Sequence, residues 1–146
     1  MKTLYFDDVK EGDAIPSITK NIKLMNMVMY QGATWDFHRY HYDTEFVQQK
    51  GFAKPFLDGQ MLGAYLGHFL TDWTGVDGTI KKLGFRFTNL VYPGDVLTCR
   101  GRVIRRSQEG DQGFVECYLW IENQKGERVL DKGTALIILP LRGQEH

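Results

Sequence analysis

The chain has 146 residues, 42% hydrophobic and 25% charged, which is the profile of one globular domain spanning residues 1–146. Eighteen basic residues balance eighteen acidic ones, and no stretch has transmembrane length, so neither nucleic acid nor a membrane is expected as a partner. The opening Met1-Lys2-Thr3-Leu4-Tyr5-Phe6-Asp7-Asp8 carries acids where a leader needs an apolar run, and Cys99 and Cys117 fit neither a metal spacing nor a disulfide framework. A cytoplasmic protein with two core cysteines is expected.

After a polar start with a turn signal at Glu11-Gly12-Asp13, residues 15–24 alternate loosely and predict a first strand. Residues 25–33 predict a short apolar helix. Residues 34–42 are polar and aromatic without a period, which predicts a loop. Asp43 is placed to N-cap a short helix over 44–50, with Gly51 at its end. The clearest helix covers 59–73. Leu62, Tyr65, Leu66, Phe69, Leu70 and Trp73 make one apolar stripe at helical spacing, with Asp58 as the preferred kind of cap before Gly59. Gly63 and Gly67 each cost this helix about 1 kcal/mol against Ala, so something must need their smallness: a sheet or a partner packed closely. The period then changes. Strands are predicted at 80–90, 96–106, 114–123 and 129–139, with turns at Pro93-Gly94-Asp95, Gly110 and Gly126, giving an antiparallel meander. One strand, small helices, one long buried helix and four strands predict an α+β domain, a twisted antiparallel sheet wrapped around the helix.

Chemistry concentrates in two places. The first reads Trp35-Asp36-Phe37-His38-Arg39-Tyr40-His41-Tyr42-Asp43. The second reads Pro55-Phe56-Leu57-Asp58-Gly59-Gln60-Met61-Leu62, at the start of the long helix. Together they resemble the MaoC-like hydratase family of hot-dog proteins, the (R)-specific enoyl-CoA hydratases and (3R)-hydroxyacyl-ACP dehydratases. Its motif is Gly-Asp-x-Asn-Pro-x-His, followed by Pro-x-x-His-Gly-Met. The likeness continues through Phe85-Arg86-Phe87-Thr88 and Pro93-Gly94-Asp95. Asp36, His41 and Gly59 match the motif. Trp35 stands where the family has Gly, His38-Arg39 where it has Asn-Pro, and Asp58 where it has His.

The resemblance implies a hot-dog domain that interconverts trans-2-enoyl and (R)-3-hydroxyacyl thioesters. Asp36 and His41 would share the catalytic water by general acid/base transfer. The Gly59 N–H, at a helix N-terminus, would polarise the thioester carbonyl. No cofactor is implied; CoA or phosphopantetheine belongs to the substrate. A homodimer with continuous sheets is implied, or a heterodimer with another hot-dog chain. Other readings stay open beside this one. An acyl-CoA thioesterase would share the fold, and a non-catalytic partner subunit would fit the His38-Arg39 replacement. Asp36, His38, His41 and Asp43, with His68, are candidate metal ligands, although no metal is expected. Tyr65 and His68 read as packing residues. Arg100, Arg102, Arg105 and Arg106 suit phosphates or a solvated sheet face.

Overall fold

The structure is a computed structural model and describes residues 3–143; Met1 and Lys2, the start of the acidic opening stretch weighed above, and residues 144–146 lie outside it. In chain order it contains a 3-10 turn (Phe6–Asp8), β1 (Ala14–Asn21), α1 (Leu24–Thr34), a second 3-10 turn (Arg39–His41), α2 (Thr44–Gln49), α3 (Gly59–Thr74), β2 (Thr79–Phe87), β3 (Val96–Glu109), β4 (Gln112–Glu122) and β5 (Arg128–Leu139). The predicted elements are all present, with ends moved by a few residues.

The sheet order is β1-β3-β4-β5-β2, antiparallel at every pairing. Strand β4 shows why the sheet has an inside. Gly113, Val115, Cys117, Leu119 and Ile121 alternate with half-exposed residues, and the buried set faces the core. The buried stripe of α3, Leu62, Leu66, Phe69 and Leu70, lies in the same core. Cys99 and Cys117 are fully buried there, and burial pushes both thiols up to about 12.

The meander expectation needs one correction. Strands β3, β4 and β5 do follow one another, but β2 pairs with β5 at the far edge, not with β3. The turn at Pro93-Gly94-Asp95 therefore joins two separated strands. Its two ends tie to β1's exit, through Gly94 N–H to Ile22 O (2.8 Å) and Ile22 N–H to Asp95 O (2.9 Å). Between β2 and β3 the chain must cross under the start of α3, and there Leu57 N–H donates to Val91 O at 2.8 Å. This crossing carries Asn89, Leu90 and Val91 to the site described next.

The two helix glycines differ. A Cβ on Gly63 would lie 2.5 Å from the Phe85 ring of β2, so here the sheet requires the small residue. A Cβ on Gly67 would meet nothing within 4 Å.

Candidate active site

Helix α1 ends where its last turn hands the chain to the loop. Trp35 caps it in the left-handed conformation, φ 57°, with its N–H on Gln31 O. Glycine adopts that conformation freely; an L side chain gives up about 1–2 kcal/mol. The next N–H, of Asp36, also reaches Gln31 O, at 3.2 Å. Asp36 is half-buried. Burial first, then the charges of Asp58 and Asp36, raise the pKa of the Tyr30 phenol.

His41 closes the 3-10 turn of Arg39–His41. Its Nδ1 lies 2.9 Å from Phe56 O, and its ring meets the Phe56 ring edge-on at 5.7 Å. A carbonyl can only accept, so Nδ1 carries the proton and Nε2 presents a lone pair. The bond is doubled by the backbone, since Phe56 N–H donates to Tyr40 O at 3.2 Å. The Tyr40 ring packs against Phe46, Phe52 and Phe56 at 5.1–5.8 Å. The catalytic candidate is thus pinned to the strand-like segment that leads into α3.

Arg39 explains how the loop keeps its shape without proline. Its Nε and Nη2 both reach Asp43 Oδ2, at 2.9 and 2.8 Å, and its guanidinium lies 4.4 Å from the centre of the Phe46 ring. Asp43 Oδ1 accepts from Phe46 N–H at 2.9 Å, which is the predicted cap of α2. The Phe46 N–H and the Arg39 guanidinium together hold the Asp43 carboxyl below its ordinary value. His38 stacks on Tyr40 at 5.0 Å. Asp43 is therefore engaged elsewhere, and among the described residues no three His, Cys, Asp or Glu side chains gather as a metal-holding group.

At the start of α3, Asp58 is 6% exposed and acts as the expected cap, its Oδ1 accepting from Gln60 N–H at 2.9 Å. Its Oδ2 faces Gln31 Nε2 at 3.4 Å. Gln31 is buried, and its Oε1 has no partner among the described residues. As the first helical residue, Gly59 has no acceptor for its N–H within the helix. A Cβ on Gly59 would lie 2.5 Å from the ring of Phe87, so this glycine makes room for a half-exposed aromatic at the mouth of the site.

His41, Phe56, Asp58, Gly59, Phe87 and Asn89 share the wall of one cavity of about 300 Å³. Two of the three motif residues, His41 and Gly59, are therefore brought together. Asp36 is not among the lining residues; its backbone tie is at the end of α1, where its N–H reaches Gln31 O. Sequence reasoning missed Gln31, Phe56, Phe87 and the 89–91 crossing. Gln31 had a signal: it follows Met27 by four, on the buried face of α1. Phe56 and Phe87 lie in the stretches that carry the resemblance and 89–90 in a predicted strand, but their place at the site depends on tertiary contacts.

The profile of the MaoC like domain matches residues 11–119. No curated protein matches the sequence significantly. Among solved structures, the unliganded R-hydratase PhaJ1 from Pseudomonas aeruginosa is 20% identical, with a TM-score of 0.87 over 96% of this chain and 88% of its own. The (R)-hydratase from A. caviae involved in PHA biosynthesis is 20% identical, with a TM-score of 0.82 over 90% and 98%. A chain of the ChsH1-ChsH2 complex from Mycobacterium tuberculosis is 23% identical, with a TM-score of 0.74 over 91% and 98%. At these identities the likeness concerns the fold.

Proposed function

We infer the activity from one premise: this chain belongs to the MaoC-like dehydratase domain family, in its hot-dog fold. A hydro-lyase of the hydratase/dehydratase kind is the family's chemistry. The reading proposed for this chain is reversible addition of water to a trans-2-enoyl thioester, giving an (R)-3-hydroxyacyl thioester on CoA or acyl carrier protein.

The observation that carries the reading is the orientation of His41. Its Nδ1–H is committed to Phe56 O, which leaves Nε2 as the nitrogen proposed to act as base, and the residue lines a cavity that also holds the start of α3. Water bound to Nε2 would lose its proton there as its oxygen attacks Cβ. Asp36 is proposed as the second grip on that water, orienting its oxygen toward Cβ, and the proton taken up by Nε2 is the one returned to Cα, so that one water adds across the double bond. Asp58 is the less suitable carboxylate, because Oδ1 is taken by the Gln60 N–H and Oδ2 faces the Gln31 amide. The enolate-like charge on the thioester oxygen would rest on Gly59 N–H. A donor of that kind contributes about 3–4 kcal/mol to the transition state.

A homodimer is proposed through the free edge of β2, which pairs on one side only. A pairing with a different chain is supported by one structural neighbour, which comes from a ChsH1-ChsH2 complex.

Incubation with crotonyl-CoA tests the activity. Loss of enoyl absorbance with formation of the (R)-3-hydroxyacyl product is expected. Release of free CoA thiol in place of hydration would make the chain a thioesterase. No reaction alone, restored by a co-purifying hot-dog chain, would make it a partner subunit.

A further inference from the structure

A second, more open groove of about 450 Å³ lies along the other flank of α3. Lys20 and Asn21 at the end of β1, Asn26 and Tyr30 on α1, and Tyr65 on α3 rim it, and Met61 forms part of its apolar wall. Each of those five polar side chains offers a hydrogen-bond donor, and none of the described lining residues is a carboxylate. Lys20 brings the charge. Its Nζ lies 2.7 Å from His68 Nδ1 and 5.6 Å from the centre of the Tyr65 ring. His68 Nε2 lies 3.0 Å from Asp72, so the imidazole accepts from the ammonium and donates to the carboxylate. One ammonium proton is used in this way and two remain.

The helix fixes how this groove relates to the His41 cavity. Gly59, Gln60 and Leu62 line the cavity; Met61 and Tyr65 line the groove. At 3.6 residues per turn, Met61 and Tyr65 project about 200–240° round the axis from Gly59. Helix α1 links the two spaces, for Tyr30 lines the groove while the adjacent Gln31 meets Asp58, a wall of the cavity, through Nε2 to Oδ2 at 3.4 Å. A thioester whose oxygen takes the Gly59 N–H, as the function proposed above requires, sits off the end of α3. Its two arms then leave on opposite flanks of the helix. Along the axis Tyr65 is about 9 Å beyond Gly59. Helical side chains lean back toward the N-terminus, so the Tyr65 phenol comes nearer the thioester than its Cα and within reach of a short acyl chain, while the phosphates of a carrier arm lie much farther from the sulfur.

We propose that the groove of Lys20, Tyr30 and Tyr65 binds a carboxylate at the far end of the acyl group, so that the preferred substrate is a short enoyl thioester ending in a carboxylate. Lys20 is the specificity-determining residue, and the phenols and amides complete the set of donors.

Calorimetric titration of the full chain with glutaryl-CoA and butyryl-CoA tests this without catalysis, since neither saturated thioester reacts. Glutaryl-CoA is expected to bind at least tenfold more tightly. Lys20→Gln should bring glutaryl-CoA down to the butyryl-CoA affinity, and Tyr65→Phe should remove part of the preference. Equal affinity for the two thioesters in the wild type overturns the proposal. So does an equal loss for both in Lys20→Gln, which would mean that the groove holds carrier phosphates. Turnover of crotonyl-CoA without any glutaryl preference leaves the hydratase reading standing and sinks this one. Failure of both thioesters to bind sinks the two together.

Discussion

At the scale of single residues, His38-Arg39 is where this chain leaves the family motif, and the geometry shows what replaces proline. Arg39 ties back to Asp43 and lies over Phe46, so side-chain contacts hold the turn that a fixed φ would otherwise set. The backbone has kept the proline-compatible shape, because His38 is extended at φ −70°, ψ 121°. Arg39→Ala should therefore lower turnover by about tenfold through misplacement of His41, with little change in melting temperature. Arg39→Pro should recover most of the loss; steady-state kinetics on the two variants checks both. The cysteines give a residue-scale expectation of another kind. Their pKa rises from 9.0 to about 12 on folding, so the neutral thiols favour the native state. That contribution is complete below the unfolded value and is lost as pH climbs from about 9 toward 12. Denaturant titrations across this range should show falling stability, with a shallower fall in Cys99→Ala and Cys117→Ala.

At the scale of elements, α3 was legible because its apolar stripe and its Asp58 cap are local signals, and both are found as expected. The strands were legible for the same reason, since alternation over β4 is nearly unbroken. What the pattern could not give was pairing. Strands β2 and β3 look like hairpin neighbours, but the partner of β2 is set by the sheet curling around α3, a long-range contact. The expectation for the glycines divides in the same way. Gly63→Ala should cost about 1–3 kcal/mol, because its methyl group meets Phe85. Gly67→Ala should raise the stability of an isolated chain by up to about 1 kcal/mol, because nothing lies in its way. If Gly67→Ala instead weakens self-association in sedimentation experiments, the face it occupies is covered by a partner.

At the scale of the whole molecule, the site exists only because three distant segments meet. The turn with His41, the start of α3 and the 89–91 crossing contribute to one cavity, and the sequence announces the first two. The crossing was not legible, because residues 88–90 read as a continuation of the strand that in fact ends at Phe87, and the tie of Leu57 N–H to Val91 O is a long-range contact. The free edge of β2 gives a molecular expectation too. Sedimentation should report a species of about twice 16.9 kDa, with a melting temperature that rises with protein concentration. The central claim is that His41, oriented by Phe56 O, is the base and Asp36 its partner. Initial rates of enoyl absorbance loss with crotonyl-CoA and a longer enoyl-CoA test it most directly, on wild type, His41→Ala and Asp36→Asn. We expect an active wild type and a fall of about 10²–10⁴ in each folded variant. An active wild type whose variants keep its full rate would contradict the assignment.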